Sequence, residues 1–153
     1  LALSNRSQRS DTLTLGLRPS PYIEPPVRVT SSLVPSKRFP LRNASDYHFG
    51  TYTRVASPCK AGDYILFTFE EPVDCESVDL RTGIPNVTRY IVTKGRVAWS
   101  SDGRSFIEAG PLNESGQIVW KPHKPVRAIR VSIEGSNGET AVCWQDLRIT
   151  PTR

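Results

Sequence analysis

Apolar and polar residues alternate along most of this chain in short runs. In residues 63–69 every second side chain from Ile65 to Phe69 is apolar, and residues 128–133 repeat the pattern. A period of two is typical of half-buried β-strands, because successive side chains point to opposite faces. Similar runs predict six further strands, at residues 27–33, 77–81, 96–100, 106–109, 117–120 and 142–149. No segment keeps a helical period over three turns, so the sequence predicts an all-β fold.

Turn-forming residues separate these runs. Ser101, Asp102 and Gly103 predict a tight hairpin turn, because Asp-Gly suits a positive φ. Residues 35–60 are predicted to be rich in loops. About eight short strands bounded by turns are typical of a two-sheet antiparallel β-sandwich of the jelly-roll kind. A barrel with the same number of strands remains the alternative.

The chain divides into a tail and one domain. Residues 1–23 show little periodicity and are rich in Ser, Arg, Thr and Pro, which predicts a linker that leans on the domain. Residues 24–153 are long enough for one sizeable core and form the predicted sandwich. Because the chain starts at Leu1 without a leader, we expect a fragment or processed product whose signal or anchor lies outside it.

Charge and hydropathy argue against two kinds of partner. The net charge of +5 comes from basic residues interleaved with acidic ones, without the Lys/Arg run that is typical of nucleic-acid binding. No apolar run approaches the roughly 18 residues that cross a bilayer. We therefore expect this part of the protein to contact neither nucleic acid nor a membrane.

The cysteines and histidines indicate which cofactors to expect, and the glycosylation sequons indicate the cellular compartment. Three cysteines without a CxxC pair and two distant histidines predict no zinc site, and we expect no metal or other cofactor. A secreted or lumenal protein is favoured by four Asn-x-Ser/Thr sequons, at Asn5, Asn43, Asn86 and Asn113. Two arrangements stay open, one disulfide with a free thiol or three buried thiols, for Cys59, Cys75 and Cys143.

No pattern in the sequence predicts catalysis. Phosphate loops, nucleophile elbows and dinucleotide fingerprints are missing from the sequence. The acidic pair Glu70–Glu71 would lie on opposite faces of a strand, so its carboxylates cannot flank one glycosidic bond. We therefore predict a non-catalytic binding domain.

The loops at the sheet ends are the candidate binding surface, because such loops carry function in sandwiches. Sugar recognition needs hydrogen-bonding side chains together with an aromatic or apolar platform. Loops 46–52, 83–93 and 135–142 offer such groups, and the predicted site residues are Tyr47, His48, Asn86, Arg89, Tyr90, Asn137 and Glu139. Trp99, Trp120 and Trp144 fall within predicted strands and are expected in the core.

Two sets of motifs resemble known families. Ala61 to Phe67 (AGDYILF), with Thr82–Gly83 downstream and Pro25–Pro26 upstream, closely resembles the C-terminal domain of the N-acetylglucosaminyltransferase IV family. Residues 101–106 (SDGRSF) and 144–149 (WQDLRI) resemble discoidin-like modules, including the family 32 carbohydrate-binding modules.

The resemblance implies a lectin-like domain that recognises terminal GlcNAc or a related N-glycan end. It would be an accessory to a branching GlcNAc-transferase in the Golgi lumen, with residues 1–23 leading from the catalytic domain. Its partners would then be an N-glycan or glycoprotein and that catalytic domain.

One departure from the transferase pattern supports a second hypothesis. The loop from Ile84 to Tyr90 contains no aspartate, whereas those relatives carry acidic residues there. A carboxylate accepts stronger, charge-assisted hydrogen bonds from sugar hydroxyls than Asn or Tyr does. The alternative is therefore a structural or protein-interaction module whose sugar site is degenerate.

Overall fold

In the computed structural model, the regular structure of the described residues consists of nine strands and one short 3-10 helix. The structure describes residues 20–48, 50–84, 87, 90–135 and 141–153, without the side chains of Ala141 and Gln145. The strands are β1 (Val27–Ser31), β2 (Thr53–Pro58), β3 (Tyr64–Val73), β4 (Cys75–Thr82), β5 (Gly95–Ser100), β6 (Ile107–Pro111), β7 (Gln117–Trp120), β8 (Val126–Ile133) and β9 (Ala141–Pro151), and the 3-10 helix is Leu41–Ala44. Within the described residues, no helix is long and apolar enough to cross a membrane.

The strands form two antiparallel sheets that face each other. One sheet has the order β1-β3-β8-β5-β6 and the other the order β2-β9-β4-β7. Strands β1 and β2 therefore mark one open edge of the sandwich, and β6 and β7 mark the other. At one end, which we call the loop end, lie the connections β2–β3, β4–β5, β6–β7 and β8–β9.

The inward faces of the two sheets form a single apolar core. Phe67 and Ile129 pair across β3 and β8, and both side chains are buried. The three tryptophans are 4%, 8% and 1% exposed at positions 99, 120 and 144, so the prediction that they belong to the core is confirmed. Burying a large apolar side chain contributes about 1.5–3 kcal/mol, so these rings are major contributors to stability.

The 3-10 helix closes the edge formed by β1 and β2. Ala44 is buried, and Leu41 packs against the core from the same short segment. Thr53 Oγ1 donates to the carbonyl oxygens of Pro40 and Leu41 at 2.9 and 3.1 Å, and Asn43 Nδ2 donates to the carbonyl of Tyr52 at 3.1 Å. Ile23, at the end of the predicted tail, pairs with Ile149 through a 2.9 Å backbone hydrogen bond.

Strand β2 is the one strand of the described residues that the sequence pattern did not predict. It lies within residues 35–60, and it pairs with β9 only at Thr53, Arg54 and Pro58, with a register shift in between. Proline cannot donate to a sheet ladder and is confined to edges or irregular pairings. The predicted loop-rich segment was therefore wrong at β2, although the other eight predicted strands are present with ends moved by up to a few residues.

A buried hydroxyl ties the β4–β5 and β6–β7 connections together. Thr82 Oγ1 donates to the carbonyl of Gly116 at 2.8 Å and accepts from the backbone N–H of Val92 at 2.9 Å. Gly116 has a φ of 69°, which only glycine adopts without cost. A Cβ at this position would lie 2.2 Å from Thr82 Oγ1, so the hydroxyl and a side chain cannot coexist there.

Gly116→Ala should therefore destabilise the domain more than Gly62→Ala. Both glycines have positive φ, but a Cβ on Gly62 meets nothing within 4 Å. Gly62→Ala should cost about 1–2 kcal/mol from the left-handed backbone alone. Gly116→Ala adds the loss of the Thr82 hydrogen bonds, about 1–3 kcal/mol more. Urea unfolding of the two variants measures the difference, and equal free energies of unfolding would contradict this account.

All three cysteines are buried as thiols, which is the second of the two arrangements left open by the sequence. Burial raises the pKa of Cys75 to about 11, and the carboxylate of Asp74 acts in the same direction. Burial likewise raises the pKa of Cys143 to about 11, although the positive charge of Arg54 opposes the shift. Both thiols are therefore protonated and poorly nucleophilic near neutral pH.

These raised pKa values predict a loss of stability at alkaline pH. The unfolded chain releases the two thiol protons above about pH 9, whereas the folded chain keeps them until about pH 11. Because the unfolded state then binds fewer protons, the free energy of unfolding should fall as the pH rises through this window. Denaturant unfolding of the wild type and of a Cys75→Ala, Cys143→Ala variant measures the effect, and identical pH dependence in both would refute it.

Candidate functional site

The loop end gathers two of the three loops predicted from the sequence. The connection 83–94 leaves β4 at Thr82, and the connection 134–140 leaves β8 at Ile133 and enters β9 at Ala141. The third predicted loop, 46–52, follows the 3-10 helix and lies along the edge between β1 and β2 instead.

Tyr90 is the best-defined candidate residue at the loop end. Its carbonyl accepts the backbone N–H of Cys143 at 2.9 Å, and the guanidinium of Arg54 lies 5.0 Å from the centroid of its ring. Tyr90 has a φ of 65°, which is costly for a bulky residue and persists only when neighbouring contacts impose it. The aromatic ring is thus held beside the start of β9, with one side occupied by a cation.

Short hydrogen bonds fix the base of the same connection. The N–H of Gly83 donates to the carbonyl of Cys143 at 2.8 Å, and Val92 is bound by Thr82 as described above. Within the connection, the N–H of Val87 donates to the carbonyl of Ile84 at 3.1 Å. The described part of this connection is therefore anchored to β9 and to the β6–β7 turn.

Arg54 connects Tyr90 to further aromatic residues along β2. The N–H of Arg54 donates to the carbonyl of Phe39 at 3.3 Å, and the Phe39 ring stacks on Tyr52 with centroids 4.7 Å apart. The sequence did not single out Arg54 or Phe39 as site residues, because both lie in the segment predicted as loops. Only the pairing of β2 with β9 brings Arg54 opposite Cys143 and hence next to Tyr90.

The polar groups of Tyr47 and His48 have partners within their own region. Tyr47 Oη donates to the carbonyl of Pro25 at 2.7 Å, and burial, assisted by the charges of Glu24 and Asp146, raises the pKa of this phenol. His48 Nδ1 accepts the N–H of Gly50 at 3.2 Å. The described contacts thus hold Tyr47 against the segment before β1 rather than against Tyr90, and a role for either residue in sugar binding stays a prediction.

The other four predicted site residues lie outside the described residues. Asn86 and Arg89 belong to the connection 83–94, and Asn137 and Glu139 belong to the connection 134–140. Their roles stay predictions. Among the described side chains, His, Cys, Asp and Glu do not gather in groups of three that could hold a metal ion.

Several solved structures that resemble this chain are carbohydrate-binding modules. The first module of family 32 from a family 31 glycoside hydrolase of Clostridium perfringens superposes with a TM-score of 0.65 at 14% identity, covering 85% of this chain and 99% of that one. The family 32 module of NanJ from C. perfringens, in complex with galactose, has a TM-score of 0.61 at 11% identity, covering 80% and 92%.

A third match is a histidine mutant of the lectin binding domain of Lectinolysin, complexed with Lewis b. Its TM-score is 0.65 at 10% identity, and the match covers 85% of this chain and 95% of that one. No protein-family model and no curated protein sequence matches this chain. Identities this low establish the fold alone.

This chain is therefore a discoidin-like β-sandwich, as the sequence predicted. Two antiparallel sheets and the likeness to family 32 modules confirm that prediction and exclude the barrel. The broader resemblance, to family 32 modules, is confirmed at the level of fold. The narrower resemblance, to the GlcNAc-transferase family, gains no support from the comparisons.

Removing the cation from Tyr90 should loosen the start of β9. Arg54→Gln is expected to cost about 0.5–1 kcal/mol and to speed hydrogen exchange at the Cys143 amide, which donates to the Tyr90 carbonyl. Arg130→Gln is the matched control, because Arg130 lies 4.8 Å from the ring centroid of Tyr64 on the other sheet. Unchanged exchange at Cys143 in Arg54→Gln, or equal acceleration in both variants, would show that the pair does not hold the loop.

Proposed function

We propose that this chain is a non-catalytic carbohydrate-binding domain whose loop end holds the end of a glycan. The observation that carries the proposal is Tyr90, an aromatic ring fixed at the loop end by Cys143 and Arg54. Sugars bind proteins through stacking of their C–H faces on aromatic rings, combined with hydrogen bonds to the hydroxyls. A ring that is ordered before binding also reduces the entropy lost when the ligand arrives.

We assign the hydrogen-bonding part of the proposed site to the connections 83–94 and 134–140, as the sequence predicted. Asn86 and Arg89 on one connection, and Asn137 and Glu139 on the other, supply amide, guanidinium and carboxylate groups that match sugar hydroxyls. Arg54 adds a further donor next to the ring. In this proposal these neutral and charged groups orient a terminal sugar through hydrogen bonds to its hydroxyls.

The second part of the proposal concerns which sugar the site binds. Structures with this fold are complexed with galactose, with GalNAc-containing ligands and with Lewis b. The motif resemblance in the sequence favours terminal GlcNAc on an N-glycan and a role beside a branching GlcNAc-transferase in the Golgi lumen. We therefore propose N-glycan ends as ligands, and we expect the site to prefer terminal GlcNAc to galactose and GalNAc.

A titration of the isotope-labelled chain with GlcNAc, galactose, GalNAc and a branched N-glycan tests the proposal. We expect saturable shifts at millimolar sugar in the amides of residues 83–94 and 141–143. Tyr90→Ala should weaken binding by about tenfold, because an aromatic contact contributes about 0.5–1.5 kcal/mol beyond the area it buries. The change in dissociation constant measures this effect.

Tyr64→Ala is the matched control, because Tyr64 also lies beneath an arginine but on the outer face of the five-stranded sheet. It should bind sugar as the wild type does. The alternative, a protein-interaction module with a degenerate sugar site, predicts no effect of Tyr90→Ala or Asn86→Ala on glycan retention. Absence of any shift at millimolar sugar would overturn carbohydrate binding at the loop end.

A further inference from the structure

The sandwich has a second opening, away from the loop end. Strands β6 and β7 are the last strands of their sheets on the same side. A cleft of about 400 Å³ lies where β6 begins at Ile107 and β7 ends at Trp120. We call this the edge cleft. Its volume falls within the range of sites that bind small molecules, about 300–1,000 Å³.

The floor of the edge cleft is apolar. Ile107 pairs with Trp99 across β5 and β6, and Trp120 and Ala109 form the rest of this floor. Although Ile107 belongs to the inward-facing pattern, it is 52% exposed, whereas both tryptophans are nearly buried. The indole N–H of Trp120 also has no acceptor among the described residues. The cleft therefore exposes core apolar surface beside a buried donor that lacks a partner.

One rim of the edge cleft carries basic side chains. Lys121, His123 and Lys124 line it from the connection between β7 and β8. Glu108, on the opposite rim, is already ion-paired with Arg96.

The two lysines differ in how far they are neutralised. Lys121 Nζ lies 3.8 Å from Glu76 Oε1, whereas Lys124 has no carboxylate within ion-pair distance among the described residues. Lys124 is therefore the lysine of the rim without an ion pair among the described residues, although Asp74 lines a neighbouring hollow together with Lys124 and His123.

We propose that the edge cleft binds a saccharide unit that carries a carboxylate, such as a uronic or sialic acid residue. The C–H face of the ring would lie on Ile107 and the tryptophan edges, and the carboxylate would face Lys124 and His123. The floor presents the half-exposed Ile107 beside two largely buried tryptophans. This surface favours a sugar over a fully apolar acid, because hydroxyls can stay among the polar groups of the rim. This site is separate from the loop end and does not depend on the function proposed for it.

The test uses a matched pair of ligands, glucuronate and glucose, which differ only in the carboxylate, together with N-acetylneuraminate and acetate. Indole N–H signals of the isotope-labelled chain report binding, because Trp99 and Trp120 line the cleft and Trp144 does not. We expect millimolar glucuronate or N-acetylneuraminate to shift the signals of Trp99 and Trp120 and to leave that of Trp144 in place. Added salt should weaken binding.

Matched variants measure separately how much the floor and the rim of the edge cleft contribute to binding. Lys124→Gln should weaken binding about tenfold, as expected for the loss of a charge-assisted hydrogen bond, and Ile107→Ala should weaken it about threefold. Lys37→Gln and Val34→Ala are the controls, since both residues are exposed and lie at the other edge. Tyr90→Ala should leave the response unchanged, which separates this site from the loop end.

Three results would overturn the proposal. The first is an equal response to glucose and glucuronate, which would make the carboxylate irrelevant. The second is an equal response to acetate, which would mean that the rim collects any small anion. The third is no shift of Trp99 or Trp120 at millimolar acidic sugar in a sample whose spectrum is that of the folded protein.

Discussion

A two-sheet sandwich must shield its apolar interior from water at two edges and two ends, and most of this structure follows from how it does so. The edge between β1 and β2 is covered by the 3-10 helix, which is held by Thr53 and Asn43. The loop end is covered by connections that Thr82 and Cys143 tie to one another. At the edge between β6 and β7, the described chain leaves a cleft of about 400 Å³. The two proposed sites therefore differ in origin. The loop-end site lies on connections that cover the core, whereas the edge cleft lies where the core is left uncovered.

Hydrogen bonds constrain the described backbone at the base of the loop end, where the sugar site is proposed. Thr82 is buried and makes two hydrogen bonds, so moving the base of the β4–β5 connection would leave a buried hydroxyl unpaired, at a cost of about 1–3 kcal/mol. Cys143 holds the same connection through Gly83 and Tyr90. These bonds allow Tyr90 to keep a positive φ.

The sequence predicted most of the fold because alternation is a local signal. Eight of the strands show it clearly, and the three tryptophans lie on their inward positions. Strand β2 was missed because its ladder is irregular and contains Pro58. The sequence also predicted Tyr90 as a site residue, but it could not predict its partner Arg54, because that contact depends on which strand pairs with β9. Nor could it predict the edge cleft, since a buried tryptophan looks the same in sequence whether or not the edge beside it is covered.

The central claim is that this discoidin-like sandwich binds a sugar at its loop end, against Tyr90. A crystal structure of the chain soaked with a saccharide that it binds in solution tests this claim most directly. The account predicts a sugar ring at the loop end in contact with Tyr90, with its hydroxyls bonded to the β4–β5 and β8–β9 connections. A sugar seated elsewhere on the domain, with the loop end empty, would contradict it.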